Sequence, residues 1–89
     1  MSFSVLMSVY CQDNPSYVED CFRSLAEQTL LPAEVVVVED GPITPKTGDV
    51  LKKYTSVLNI KRLALPKNVG LASALNQGLK KCQFDLVAR

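Results

Sequence analysis

Apolar positions along the chain follow two alternating patterns. One is the short, mostly unbroken run: Ser4-Val-Leu-Met-Ser-Val-Tyr10, then Val35 to Val38, then Ile60 to Leu65. Such runs suit strands covered on both faces, because β-branched side chains pack well on a pleat and few positions are left for water. The other is a stripe at helical spacing. Tyr17, Val18, Cys21, Phe22 and Leu25 form the first stripe; Val50, Leu51, Tyr54, Val57 and Leu58 the second; Leu71, Ala74, Leu75, Leu79 and Cys82 the third. Asp13-Asn14-Pro15 and Thr44-Pro45 each place a capping side chain before a proline at a first helical position. The first helix is expected to end near Gln28, Pro32 breaks the chain before the valines, and Pro66 ends the third strand. Gly78 inside the third stripe costs about 1 kcal/mol against alanine, which points to close packing on a strand. Asp85 to Arg89 opens as a fourth strand.

The order β-α-β-α-β-α-β makes residues 1–89 one α/β domain, three-layered, with a parallel sheet, right-handed crossovers and helices on both faces. If the first three strands wind one way and the fourth returns beside the first, the four-stranded order is 3-2-1-4. Its crevice then opens over the carboxyl ends of the first and fourth strands. Tyr10 and Asp40 are expected to point into it. Glu39-Asp40-Gly41-Pro42 follows the valines directly, and Gly-Pro cannot continue a central strand. On this stretch alone, an acidic turn that merely ends a core strand accounts for the residues as well as a ligand site does.

Charge and composition narrow the chemistry. The net charge is +1 with no histidine, unlike the strongly basic balance of dedicated nucleic-acid binders. No apolar run reaches the roughly eighteen residues of a membrane span. The residues before Cys11 lack a basic leader segment and read as a strand. Cys11, Cys21 and Cys82 form no C-x-x-C pair, so reduced thiols and a cytoplasmic location are expected. A dinucleotide G-x-G-x-x-G and a phosphate-binding G-x-x-x-x-G-K-[ST] are both absent, and without histidine there is no Ser-His-Asp set. What remains is an aromatic after strand one, carboxylates after strand two and Lys67-Asn68 after strand three. A base can stack on Tyr10, Asp40 can accept from a ring N–H, and Lys67 can meet phosphate.

Four segments carry a family resemblance: Ser4 to Tyr10, Ser24-Leu-Ala-Glu-Gln-Thr29, Val38-Glu-Asp-Gly41, and Asn68-Val-Gly-Leu-Ala-Ser-Ala-Leu-Asn76-Gln-Gly78. In this order, over nearly the whole chain, they look like the N-terminal half of a family 2 glycosyltransferase of the GT-A fold, a Rossmann-like architecture. The N-x-G-x-x-x-A-x-N-x-G pattern is the most specific. The resemblance implies a parent enzyme that moves a sugar from a nucleotide-diphosphate sugar to an acceptor, inverting the anomeric carbon, commonly in bacterial polysaccharide or O-antigen synthesis. It implies a nucleotide site at Ser8, Val9 and Tyr10 on the first strand, at Glu39, Asp40 and Gly41 after the second, with Asp40 reading the base, and at Lys67, Asn68 and Gly70 in the following loop. Asn76 and Gly78 match packing positions.

A divalent metal, Mn or Mg, is expected for the parent. In the family an Asp-x-Asp motif follows the strand that begins here at Asp85, and the chain ends at Arg89. No catalytic residue or metal ligand is therefore assigned, and the chain is expected to be a fragment without activity of its own. An open apolar edge at residues 86–89 is expected to drive self-association. A non-catalytic, receiver-like regulatory module shares the alternation, but it needs acidic residues after strand one, where this chain has Tyr10-Cys11-Gln12. A nucleotidyltransferase needs a glycine-rich loop at the same place.

Overall fold

The computed structural model describes residues 3–83 and the backbone of 87–88. Seven elements alternate: β1 (Ser4–Val9), α1 (Pro15–Ala26), β2 (Glu34–Glu39), α2 (Pro45–Tyr54), β3 (Ile60–Ala64), α3 (Leu71–Leu79) and β4 (Val87–Ala88). Three full strands carry the parallel sheet. β1 and β2 pair from Ser4 opposite Glu34 to Val9 opposite Glu39. β2 and β3 pair from Val35 opposite Ile60 to Glu39 opposite Ala64. On the other side of β1, β4 adds a two-residue ladder, Ser4 to Val87 and Val5 to Ala88, so the strands lie in the order β3-β2-β1-β4. Asp85, Leu86 and Arg89 of the expected fourth strand lie outside the described residues, as do the side chains proposed to form a sticky edge.

Alternation along each strand divides the core in two. Val5, Val9, Val35, Val37 and Ile60 pack under Val18 and Phe22 of α1 and Val50, Leu51 and Tyr54 of α2. Leu6, Val36 and Val38 pack on the opposite face with Leu65 and Ala74 of α3. Val35 to Val38 have no exposed surface, which is why the run tolerates no polar residue. Phe22 stacks on Tyr54 at 5.7 Å between ring centres and ties α1 to α2.

Some stripe residues end elsewhere. Tyr17, Leu71 and Leu79 are exposed because each lies near a helix end, where the stripe overhangs the sheet. Val57, Leu58 and Cys82 fall past the ends of α2 and α3; Leu58 is still buried, whereas Val57 is exposed. Gly78 does press on the sheet: a Cβ there would meet Val38 Cγ2 at 2.4 Å and Leu6 Cδ1 at 2.5 Å.

Glu34 is the unexpected member of the interior. It is fully buried at the start of β2. Its Oε2 accepts the Ser4 hydroxyl at 2.5 Å and the Gln83 N–H at 2.6 Å. Lys61 Nζ stands 2.8 Å from Oε1 as an ion-pair partner, although no well-aligned hydrogen bond reaches that oxygen. Burial pushes the Glu34 carboxyl up, but Lys61, the Ser4 hydroxyl and the Gln83 N–H outweigh it, and the net displacement is below the ordinary carboxylate value.

Two outcomes are expected. Gly78→Ala gains about 1 kcal/mol of helix propensity but overpacks the core by about 1–3 kcal/mol, so the urea midpoint falls. Because Glu34 is more acidic folded than unfolded, its ionised form stabilises the fold above the ordinary value of 4.5 and this contribution disappears as pH falls through the folded pKa. The stability gap between the wild type and Glu34→Gln, measured by urea denaturation, therefore narrows below pH 4.5.

Candidate functional site

The carboxyl ends of β1 and β2 finish level, Val9 opposite Glu39. After β1 the chain turns sharply: Asp13 N–H donates to the Tyr10 carbonyl at 3.1 Å and Tyr10 N–H donates to Asp13 Oδ2 at 3.0 Å. After β2, Asp40 N–H donates to the Val9 carbonyl at 2.8 Å, and Gly41 turns the chain at φ +85°.

Asp40 then collects the loop that follows β3. Its Oδ1 accepts the Val69 N–H at 2.7 Å, and its carbonyl accepts from Asn68 Nδ2 at 3.4 Å. The loop backbone lies so close that a Cβ on Gly41 would stand 2.8 Å from Asn68 N. A single buried carboxylate thus staples Lys67–Gly70 onto the end of β2.

These contacts leave a cleft of about 450 Å³. Ser8, Tyr10, Asp40, Asn68 and Gly70 line it, and all five are residues the sequence placed at a nucleotide site. The others have different positions. Val9 is 2% exposed within the core. Glu39 gives its carboxylate to Arg62 Nε at 2.5 Å, away from the lining. Gly41 shapes the turn, and Lys67 is exposed outside the lining. Asp13 and Leu71 complete the wall. In the cap-proline signal Asp13-Asn14-Pro15 it is Asn14 that caps α1, accepting the Ser16 N–H at 2.9 Å, which leaves Asp13 to the cleft. With two capping residues side by side, one is left over, and that surplus was the available signal. Leu71 reads as an inward helix position; at the first residue of α3 it meets the cleft instead.

Among the described residues the side chains at the cleft do not form a metal-ligand cluster by themselves. Among the described residues no three Asp, Glu, Cys or His side chains gather. The two cleft carboxylates, Asp13 and Asp40, each already accept a backbone N–H.

The profile of Glycosyl transferase family 2 matches residues 4–89. The chain belongs to that family. This family 2 chain is 45% identical over 89 residues to an uncharacterized glycosyltransferase of Haemophilus influenzae, covering 100% of itself and 33% of the relative. It is 41% identical over 87 residues to the UDP-Gal:alpha-D-GlcNAc-diphosphoundecaprenol beta-1,3-galactosyltransferase of Escherichia coli, covering 98% of itself and 32% of the relative. The crystal structure of S. aureus TarS 1-349 in complex with UDP-GlcNAc superposes with a TM-score of 0.83 at 34% identity, over 98% of this chain and 25% of that one. The family 2 chain thus spans about a third of the length of these curated relatives.

Gly41→Ala is expected to undo the staple. Alanine is strained at a φ of +85° and would collide with Asn68 N. A loss of about 1–3 kcal/mol in urea denaturation should accompany faster hydrogen exchange at the Val69 amide.

Proposed function

We propose that this chain is the nucleotide-binding part of an inverting glycosyltransferase, which moves a sugar from a nucleotide-diphosphate sugar to an acceptor in bacterial polysaccharide or O-antigen synthesis. The observation that carries the proposal is the cleft itself, where Ser8, Tyr10, Asp40, Asn68 and Gly70 converge at the carboxyl ends of parallel strands. Open α/β sheets bind ligands at this edge. The Escherichia coli relative is named for a galactosyl donor carried on UDP, and TarS was crystallised with UDP-GlcNAc; both support the same ligand class here.

The roles follow from what each group has left to offer. Tyr10 is 39% exposed and presents a ring for the base, a contact worth about 1–3 kcal/mol. Asp40 spends Oδ1 on the Val69 amide, which leaves Oδ2 to accept from a ring N–H as a charge-assisted bond. Ser8, Asn68 and Gly70 border the ribose, and Lys67 at the rim reaches toward phosphate. Val9, Glu39 and Gly41 support the site from behind, Glu39 through its pairing with Arg62. The described residues here bind and orient the nucleoside; a divalent metal in the whole enzyme would be held by other residues and would supply positive charge.

In the whole protein β4 extends into a full fourth strand, completing the 3-2-1-4 sheet, and its edge is covered. The chain alone is proposed to self-associate. Among the described residues no helix is long and apolar enough to cross a membrane. We place the protein in the cytoplasm, a setting in keeping with the exposed free thiol of Cys11.

Calorimetry with UDP and UDP-GlcNAc tests the assignment. In the full-length protein Asp40→Asn is expected to weaken donor binding at least tenfold, and Glu39→Gln to change it less than threefold, about 1.4 kcal/mol corresponding to each tenfold step. Unchanged binding in Asp40→Asn with loss in Glu39→Gln reverses the two roles. The 89-residue chain, incubated with the same donor, Mn²⁺ and lipid-linked acceptors, is expected to give no turnover above a denatured control.

A further inference from the structure

We propose that Glu34 is a positioning residue that fixes where β4 joins the sheet. The site lies at the amino edge, opposite the cleft, and is independent of the nucleotide assignment. Glu34 and Ser4 have no exposed surface. They face each other in the β1–β2 register, and Ser4 also faces Val87 in the β1–β4 register. One oxygen, Glu34 Oε2, accepts both the Ser4 hydroxyl at 2.5 Å and the Gln83 N–H at 2.6 Å. The same atom therefore grips β1 and the connector that leads into β4.

The connector needs such a grip. After α3, the Lys81 N–H bonds the Gly78 carbonyl at 2.9 Å and the Cys82 N–H bonds the Leu79 carbonyl at 3.2 Å. Among the described residues these local turns hold the chain as far as Cys82. The Gln83 N–H lies beyond these turns, and Glu34 accepts it. Among the described residues β4 contributes two ladder residues, and in a strand a slip of one residue reverses every side chain. A buried carboxylate is costly and an apolar residue of similar bulk often serves stability as well. What an apolar residue cannot do is accept the Gln83 N–H and the Ser4 hydroxyl together.

Residue-resolved amide hydrogen exchange on the chain separates this role from plain stabilisation. Glu34→Met keeps the bulk and removes both acceptors. The Gln83, Val87 and Ala88 amides are expected to lose at least tenfold more protection than those of Val36 and Val37. Lys61→Met removes the ion pair but leaves both bonds to Oε2, and no selective loss is expected. If Glu34→Met does not fold, Glu34→Gln, a weaker neutral acceptor, is read by the same ratio. A uniform loss across the sheet in the Glu34 variant, or equal selective release in Lys61→Met, overturns the proposal.

Discussion

Covering β2 from both faces is the constraint on which the remaining structure depends. Val35 to Val38 leave no side of the strand for water, so helices must lie above and below it, and parallel neighbours must flank it. Two helices, α1 and α2, share one face, while α3 takes the other. Gly78 lets α3 settle directly on Val38 and Leu6. With β2 fixed this way, its last residue delivers the chain to a single place, the edge where β1 also ends.

At that edge Asp40 has two tasks. One carboxylate oxygen organises the loop after β3 through the Val69 amide, and the other remains for the cleft. Under the proposed assignment, loop architecture and recognition share one side chain, and an effect of changing Asp40 contains both. Glu39, its neighbour, faces the opposite way and is neutralised by Arg62. The two adjacent carboxylates look equivalent in a sequence, yet the two-residue period of a strand sends them to different environments.

The fold was largely legible because its signals are local. Unbroken apolar runs, helical stripes and cap-proline pairs each act over a few residues, and the β-α alternation leaves few topologies. Of the five residues at the cleft, Tyr10, Asp40 and Asn68 stood out by their places after strands, whereas Ser8, inside β1, and Gly70 came only through the family resemblance. What escaped depends on distant partners. Glu34 looks like the polar start of a strand, and nothing nearby announces that Ser4, 30 residues away, and Gln83, 49 residues away, will enclose it. The Glu39–Arg62 pair, 23 residues apart, is hidden in the same way. Asp13 was masked by Asn14, which has the same capping chemistry.

The buried carboxylate at the amino edge and the open cleft at the carboxyl edge give the two ends of the sheet different freedom to evolve. At the cleft, exposed side chains such as Leu71 and Lys67 can drift without disturbing the core, provided the Asp40 staple survives. At the amino edge Glu34 is held by groups from β1, β3 and the α3–β4 connector, and a change in one leaves the others mismatched in a place water cannot repair. Substitutions are thus tolerated unequally at the two ends of the molecule, with more room at the cleft edge than around the enclosed carboxylate.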